Sequence, residues 1–403
     1  MNPNIDSFIP FAKPSLDFRE EEAVLEVLRS GWLTTGRQTF AFEREFADFI
    51  GSRFAVSLNS ATAGLHLALE ALGVSAGDAV ITTPFTFTAT AEVVRYLGAD
   101  PLFVDIDPET LNIDPHRIET VVKKNPHRVK ALVPVHTGGL LCEMNSVTEI
   151  AKQYNLPVIE DAAHAFPLPS ETGYAGTLGD IGVFSFYATK PITTGEGGML
   201  VTDSESIAKR VSIMRLHGID REVWNRYQSK GHTSWQYDIT APGYKYNMTD
   251  IAAAIGRVQL EKAQRFLEER KKIAHFYYEQ LADCDFLNLP YRSAHHAWHL
   301  FIVALKPDTL TIERDEFVVE LMKRGIGTSV HYIPLHLMSY YRNKYGFEPE
   351  DFPHAFSAYS SCFSIPIYPG LSEEDCHRIV CTVKEIGAEY GKQYSKQCDK
   401  GPS

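Results

Sequence analysis

Seven short runs of apolar and β-branched residues, alternating with segments of helical spacing, constrain the fold more than any other feature of this sequence. They are Phe54 to Leu58, Ala79 to Thr83, Pro101 to Val104, Ala131 to Val135, Pro157 to Ile159, Ile181 to Phe186 and Gly198 to Thr202. Each carries no charge, the pattern of a strand buried on both faces. Between them, Leu65, Leu69 and Leu72 recur at helical intervals in Thr62 to Leu72, as do Val93, Val94 and Leu97 in Thr88 to Leu97. The alternation predicts an α/β fold, a mostly parallel seven-stranded sheet with helices on both faces. In such a sheet a ligand sits beyond the carboxyl ends of the strands.

The pattern changes after Gly243. Asp250 to Leu281 reads as one long connecting helix, with Ile251, Ala254, Ile255, Val258 and Leu260 on its apolar side. Beyond it, Trp298 to Leu305, Arg314 to Arg324, Gly327 to Tyr332 and Ser372 to Tyr390 predict a smaller α+β unit. The expected division is a large unit over residues 1–250, the connecting helix and small unit over 251–390, and a polar tail over 391–403.

With 403 residues, 44% hydrophobic and 22% charged, the chain can bury a sizeable core, which excludes a disordered or fibrous protein. A net charge of −12 repels polyanions, so neither nucleic acid nor a membrane is expected as a partner. Any anionic ligand must be held by a local site. Met1 to Phe18 lacks a basic cluster followed by an apolar run, and the six cysteines form no C-x-x-C pair, so a cytoplasmic protein is expected.

Neither a G-x-x-x-x-G-K-[ST] loop nor a G-x-G-x-x-G turn follows a first strand, which removes the usual warrant for nucleotide hydrolysis or dinucleotide redox chemistry. Other residues occupy the strand ends. Ser60-Ala61-Thr62 puts hydroxyls and free amides at a helix start, which suits a phosphate and equally an ordinary N-cap. Asp161, where an apolar strand stops, can hold a protonated ring nitrogen or cap a helix through Ala162-Ala163. Lys190, past the run ending Phe184-Ser185-Phe186-Tyr187 and before the turn Gly195-Glu196-Gly197-Gly198, can be desolvated and so present a neutral amine, although most lysines are simply solvated. Gly243-Tyr244-Lys245-Tyr246-Asn247 reads as an irregular entry to the long helix. The histidines His296, His299, His331 and His336 lack partners at metal-ligand spacing, so no metal is expected, and substrate contacts or packing remain for them.

A strand-end aspartate, a Ser-x-x-x-x-Lys and a phosphate turn together are what pyridoxal phosphate needs. In order and wording the chain resembles the DegT/StrS family of nucleotide-sugar aminotransferases, from Ile9-Pro10-Phe11 to about Tyr390. The blocks are Gly31-Trp32-Leu33-Thr34-Thr35-Gly36, Asn59 to Ala63, Val158 to His164, Phe184 to Gly198 and Pro242 to Asn247. The resemblance implies the fold type I of pyridoxal-phosphate-dependent transferases, with Lys190 as the Schiff-base lysine and Asp161 on the pyridine nitrogen. It implies Ser185, Ala61 and Thr62 on the cofactor phosphate, Phe87 stacked on the ring and His164 near the 3-hydroxyl. Asn247 would reach the phosphate bound in a neighbouring subunit of a homodimer. Tyr187, Lys245, Tyr246, Trp298, His299 and His331 are the candidates for substrate contact.

The family implies ping-pong transfer from L-glutamate, through the pyridoxamine form of the cofactor, to a keto sugar on a nucleoside diphosphate. Ala241 to Asn247, His296 to Leu300 and Gly325 to Thr328 are closest in wording to enzymes making UDP-4-amino-4-deoxy-L-arabinose, which favours a C4 keto group. Pro191-Ile192 after Lys190 is instead the wording of enzymes acting on a 4-keto acetamido hexose, and Phe166 to Thr177 differs from the usual Lys-rich hairpin, so the sugar and base stay open. A dehydratase branch replaces the lysine by histidine, and this chain keeps Lys190. A non-catalytic cofactor-binding regulator is the remaining alternative.

Overall fold

The structure is a computed structural model, described here for residues 8–220 and 237–392. Seven strands form the central sheet: β1 (Phe54–Leu58), β2 (Ala79–Thr82), β3 (Asp100–Phe103), β4 (Val129–Leu132), β5 (Ile159–Asp161), β6 (Ile181–Ser185) and β7 (Gly198–Thr202). They lie in the order β3-β2-β4-β5-β6-β7-β1, the junction between β4 and β5 being made by the parallel bridges Leu132 to Val158 and Val135 to Asp161. Only β7 runs antiparallel to its neighbours β1 and β6. The β5 run starts later than its apolar residues suggest and continues through the carboxylate, so Asp161 is itself the last residue of the strand.

The helices are α1 (Phe18–Ser30), α2 (Arg37–Ile50), α3 (Ala61–Ala71), α4 (Ala89–Tyr96), α5 (Pro115–Lys124), α6 (Met144–Tyr154), α7 (Glu205–Met214), α8 (Asp250–Leu281), α9 (Arg314–Lys323), α10 (Ser339–Tyr345), α11 (Pro353–Ser361) and α12 (Glu373–Tyr390). They cover both faces of the sheet, and the period-two alternation of the strands divides the core accordingly. Val183 of β6 and Leu200 of β7 pack with Leu65 and Leu69 of α3 and Val211 of α7. Phe184, Met199 and Val201 face the other way, onto Phe42 and Phe46 of α2 and Leu260 and Phe266 of α8. Fully burying each of these phenylalanines contributes about 1.5–3 kcal/mol. A Cβ at Gly64 would lie 2.7 Å from Val183 Cγ1, so this glycine lets α3 press against β6.

The second half of α8 leaves the sheet and joins a separate core. Ile273, Tyr277 and Leu281 pack there with Phe301, Phe317, Phe363, Ile379 and Val383, under a three-stranded antiparallel sheet of β8 (Leu287–Asn288), β9 (Phe301–Leu305) and β10 (Cys362–Ile365). Gly327 to Tyr332 forms no strand and meets β10 through the bridge Ser329 to Ser364 and the side chain of His331. Most of the polar tail lies outside the described residues. Among those described, no helix is long and apolar enough to cross a membrane.

Two sequence blocks that lie over 200 residues apart meet at the base of α8. Asp250 accepts from the Gly36 amide at 2.8 Å and from Thr39 Oγ1 at 2.6 Å, while Asn247 Nδ2 donates to Thr35 Oγ1 at 2.8 Å. Deeper along α8, Lys262 Nζ pairs with both oxygens of Glu20 at 2.6 and 2.7 Å, which ties α1 to the same helix.

Candidate active site

The carboxyl ends of β5 and β6 and the start of α3 open into one cavity of about 340 Å3. Ala61, Thr62, Phe87, Asp161, His164, Ser185, Tyr187, Lys190, His299 and His331 all line it. Asn247, Lys245 and Tyr246 do not. The Tyr246 hydroxyl lies 3.2 Å from His66 Nδ1, and Lys245 Nζ donates to Asn247 Oδ1. Trp298 is also elsewhere, buried in the C-terminal core with its ring stacked 3.6 Å from that of His296.

Asp161 starts no helix. The chain after it turns, and its Oδ1 accepts from the Ala163 amide at 3.2 Å while Oδ2 accepts from Thr90 Oγ1 at 2.8 Å. Burial pushes its carboxyl up, opposed by the Thr90 and Ala163 hydrogen bonds and by the charge of Lys190. Its neighbour Glu160 points the other way and is wholly buried. Glu160 accepts from the amides of Gly176, Leu178 and Gly179 at 2.8, 2.6 and 2.6 Å. His136 completes this clamp: its Nδ1 accepts from the Cys142 amide at 3.2 Å, so Nε2 carries the hydrogen and donates to Glu160 at 2.9 Å. The clamp fixes the unusual stretch Phe166 to Thr177 against the strand that presents Asp161.

Lys190 follows β6 in a short turn closed by its own amide on the Tyr187 carbonyl at 2.9 Å. Thr193 Oγ1 and the Thr194 amide both reach the Phe186 carbonyl, at 3.1 and 2.9 Å, and hold the loop back on the strand. Desolvation lowers the Lys190 ammonium to about 8, with Asp161 as the opposing influence. Desolvation thus brings the neutral amine closer to physiological pH.

The start of α3 is closed by an ordinary side-chain cap. Ser60 Oγ caps the Ala63 amide at 3.1 Å, and the Ser60 carbonyl takes the Gly64 amide. Ala61 and Thr62 line the cavity in the first turn of α3, where helix amides lack intrahelical partners and the helix end is positive. A Cβ at Gly198 would lie 2.5 Å from the Ser60 carbonyl carbon, so only glycine lets β7 approach this turn. Phe87, 61% exposed, offers a ring face at the mouth of the cavity.

Imidazoles form the opposite wall. His164 and His299 lie with ring centroids 4.4 Å apart, and burial holds both well below the ordinary histidine value. His331, lowered by burial to about 4, contacts Ser364 Oγ through Nδ1 at 2.9 Å. Buried Nδ1 atoms of His164 and His299 have no protein partner. Among the described residues no group of three His, Cys, Asp or Glu side chains could hold a metal ion. Three lining residues escaped the sequence reading: Thr86, Thr90 and Tyr332. The threonines leave a trace, since Thr83, Thr86, Thr88 and Thr90 crowd the segment after β2, whereas nothing local marks Tyr332.

The residues thus fit a phosphorylated aromatic aldehyde: an amine to capture it, a carboxylate for a ring nitrogen, helix amides for the phosphate and an aromatic face. The model of the DegT/DnrJ/EryC1/StrS aminotransferase family matches residues 14–384. The chain belongs to that family. Its fold is the fold type I of the pyridoxal-phosphate-dependent transferases, and pyridoxal phosphate is the cofactor of this DegT/DnrJ/EryC1/StrS aminotransferase. It is 48% identical over 386 residues to the uncharacterized protein MJ1066 of Methanocaldococcus jannaschii, covering 95% of this chain and 99% of that one. It is 42% identical over 382 residues to the spore coat polysaccharide biosynthesis protein SpsC of Bacillus subtilis, covering 94% and 97%. Among solved structures it resembles the PMP-form of the putative sugar aminotransferase Spr1654 from Streptococcus pneumoniae, with a TM-score of 0.87, 32% identity and coverage of 94% and 99%.

Proposed function

We propose that this enzyme moves an amino group from L-glutamate to the C4 keto group of a sugar carried on a nucleoside diphosphate. The observation that carries this reading is that Lys190 and Asp161, from the ends of adjacent strands, line one cavity together with the amino end of α3. When bound, pyridoxal phosphate supplies an aldehyde for amine capture and a ring that accepts electrons from the adjacent carbon.

The chain's own residues do the rest. Asp161 holds a proton on the ring nitrogen, since a carboxylate beside it favours the charged ring. Ala61, Thr62 and Ser185 bind the phosphate, and Phe87 packs on the ring. Lys190, with its lowered value, takes the proton from the α carbon of glutamate and later returns one to the sugar carbon. The keto acid leaves before the sugar enters, so the kinetics are ping-pong. His164 lies at the 3-hydroxyl, while Tyr187, His299 and His331 contact the sugar nucleotide.

The reading includes a cytoplasmic homodimer in which Asn247, with Lys245 and Tyr246, serves the site of the partner subunit, and a division into a cofactor-binding unit over residues 1–250 and a smaller unit over 251–390. Similarity to a spore coat polysaccharide biosynthesis protein supports a product used in polysaccharide synthesis. The test is to incubate the enzyme and its Lys190→Ala variant with glutamate and a panel of 3-keto and 4-keto sugar nucleotides, following amino sugars by mass spectrometry. Amination of a 4-keto member by the wild type alone supports the reading. Amination of 3-keto members only overturns the C4 assignment, and equal rates in the variant overturn the role of Lys190.

A further inference from the structure

An ionised carboxylate only accepts hydrogen bonds, and this fixes the direction of a chain of contacts behind Asp161. Thr90 Oγ1 stands 2.8 Å from Asp161 Oδ2 and donates to it. That consumes the single hydroxyl hydrogen of Thr90. The 2.9 Å contact between Thr86 Oγ1 and Thr90 Oγ1 is then a donation from Thr86 to Thr90. Both threonines are buried, at 2% and 1% exposure, and both line the cavity.

Neither hydroxyl is needed to build the helix. The first turn of α4 is closed by backbone contacts, Thr90 amide to Phe87 carbonyl and Ala91 amide to Thr88 carbonyl, at 3.3 and 3.0 Å. A threonine in a helix usually turns its hydroxyl back on the preceding turn. Here it reaches across 71 residues of sequence to the end of β5. Lys190 from the loop after β6, His136 from the turn after β4 and Tyr332 from the C-terminal segment also face Asp161, and on the cavity side the favourable interactions come from Lys190, the Ala163 amide and the Thr90 hydroxyl.

We infer that Thr90, oriented by Thr86, is a positioning residue that keeps Asp161 ionised and aimed at the ring nitrogen of the cofactor. This rests on the reading of Asp161 as the partner of that nitrogen. A neutral Asp161 would be a donor itself and would reverse the chain.

The experiment measures the dissociation constant of pyridoxal phosphate from the apoprotein across pH, for wild type, Thr90→Val, Thr90→Ser, Thr86→Val, the double valine variant and Asp161→Asn. Circular dichroism checks that each is folded, and Thr90→Ala carries the same test should valine not fit. Loss of a hydrogen bond to a charged group predicts binding weakened about tenfold or more in Thr90→Val, and restored to within about threefold by serine. The acid loss of affinity begins at higher pH in Thr90→Val, because a carboxylate deprived of a donor protonates more easily. The double variant is no worse than Thr90→Val, since Thr86 acts through Thr90. An unmoved pH profile, failure of serine to rescue, or additive effects of the two valines would overturn the inference. Wild-type affinity in Asp161→Asn would instead overturn the role of Asp161.

Discussion

The phenol of Tyr332 stands 2.9 Å from Nε2 of His164. This contact ties the segment after α9 to the turn that follows β5, so the C-terminal half of the chain closes one wall of the cavity that Lys190 and Asp161 line. Replacing Tyr332 by phenylalanine removes one hydrogen bond and keeps the ring. The account predicts a loss of about 1 kcal/mol in stability, read from the denaturant midpoint, together with a lowered kcat. An unchanged midpoint and an unchanged kcat would show that the contact contributes nothing.

The Glu160 clamp is a stronger claim. Glutamine at this position would turn an amide NH2 toward backbone N–H groups that now donate to the carboxylate. Breaking such a buried charge-assisted set costs about 3–5 kcal/mol, and the effect should appear in chemical denaturation of Glu160→Gln. A loss below about 1 kcal/mol would contradict the clamp.

Acidity and cofactor capture are linked through Lys190. The rate at which apoprotein captures pyridoxal phosphate should climb with pH through about 8 and level off above it, as the amine becomes neutral. Stability carries the same signature. Between about 8 and the ordinary lysine value of 10.5 the unfolded chain binds more protons than the folded one, so this group makes stability rise with pH across that window. A flat capture rate from pH 7 to 9 would show that the Lys190 amine does not titrate there.

The proposed sharing of the site between subunits of a homodimer predicts complementation. Neither Lys190→Ala nor Asn247→Asp homodimers should be active. Mixed dimers should recover part of the activity, because one of their sites has both residues intact. Purified heterodimers without activity would place Asn247 outside the partner's site.

Much of this site was written in local sequence, and the remainder was not, for physical reasons. Strands buried on both faces read as short apolar runs, and Asp161 and Lys190 stand where those runs end, so their meeting at one edge of the sheet follows from topology. Thr90 and Tyr332 reach their partners over 71 and 168 residues, and such contacts are set by packing rather than by neighbours in the chain. Trp298 shows the opposite error. It adjoins His299 in sequence, yet a left-handed backbone with φ of 53° at Trp298 turns its indole into the C-terminal core. His296 and His299, three residues apart, line different cavities.

The central claim is a glutamate half-reaction at a site built on Lys190 and Asp161. The absorption spectrum of the cofactor-loaded enzyme, before and after L-glutamate is added without any sugar, tests it most directly. The account predicts loss of the visible band of the lysine-bound cofactor and appearance of the pyridoxamine form, with 2-oxoglutarate released in equal amount. A visible band that glutamate leaves unchanged would contradict it.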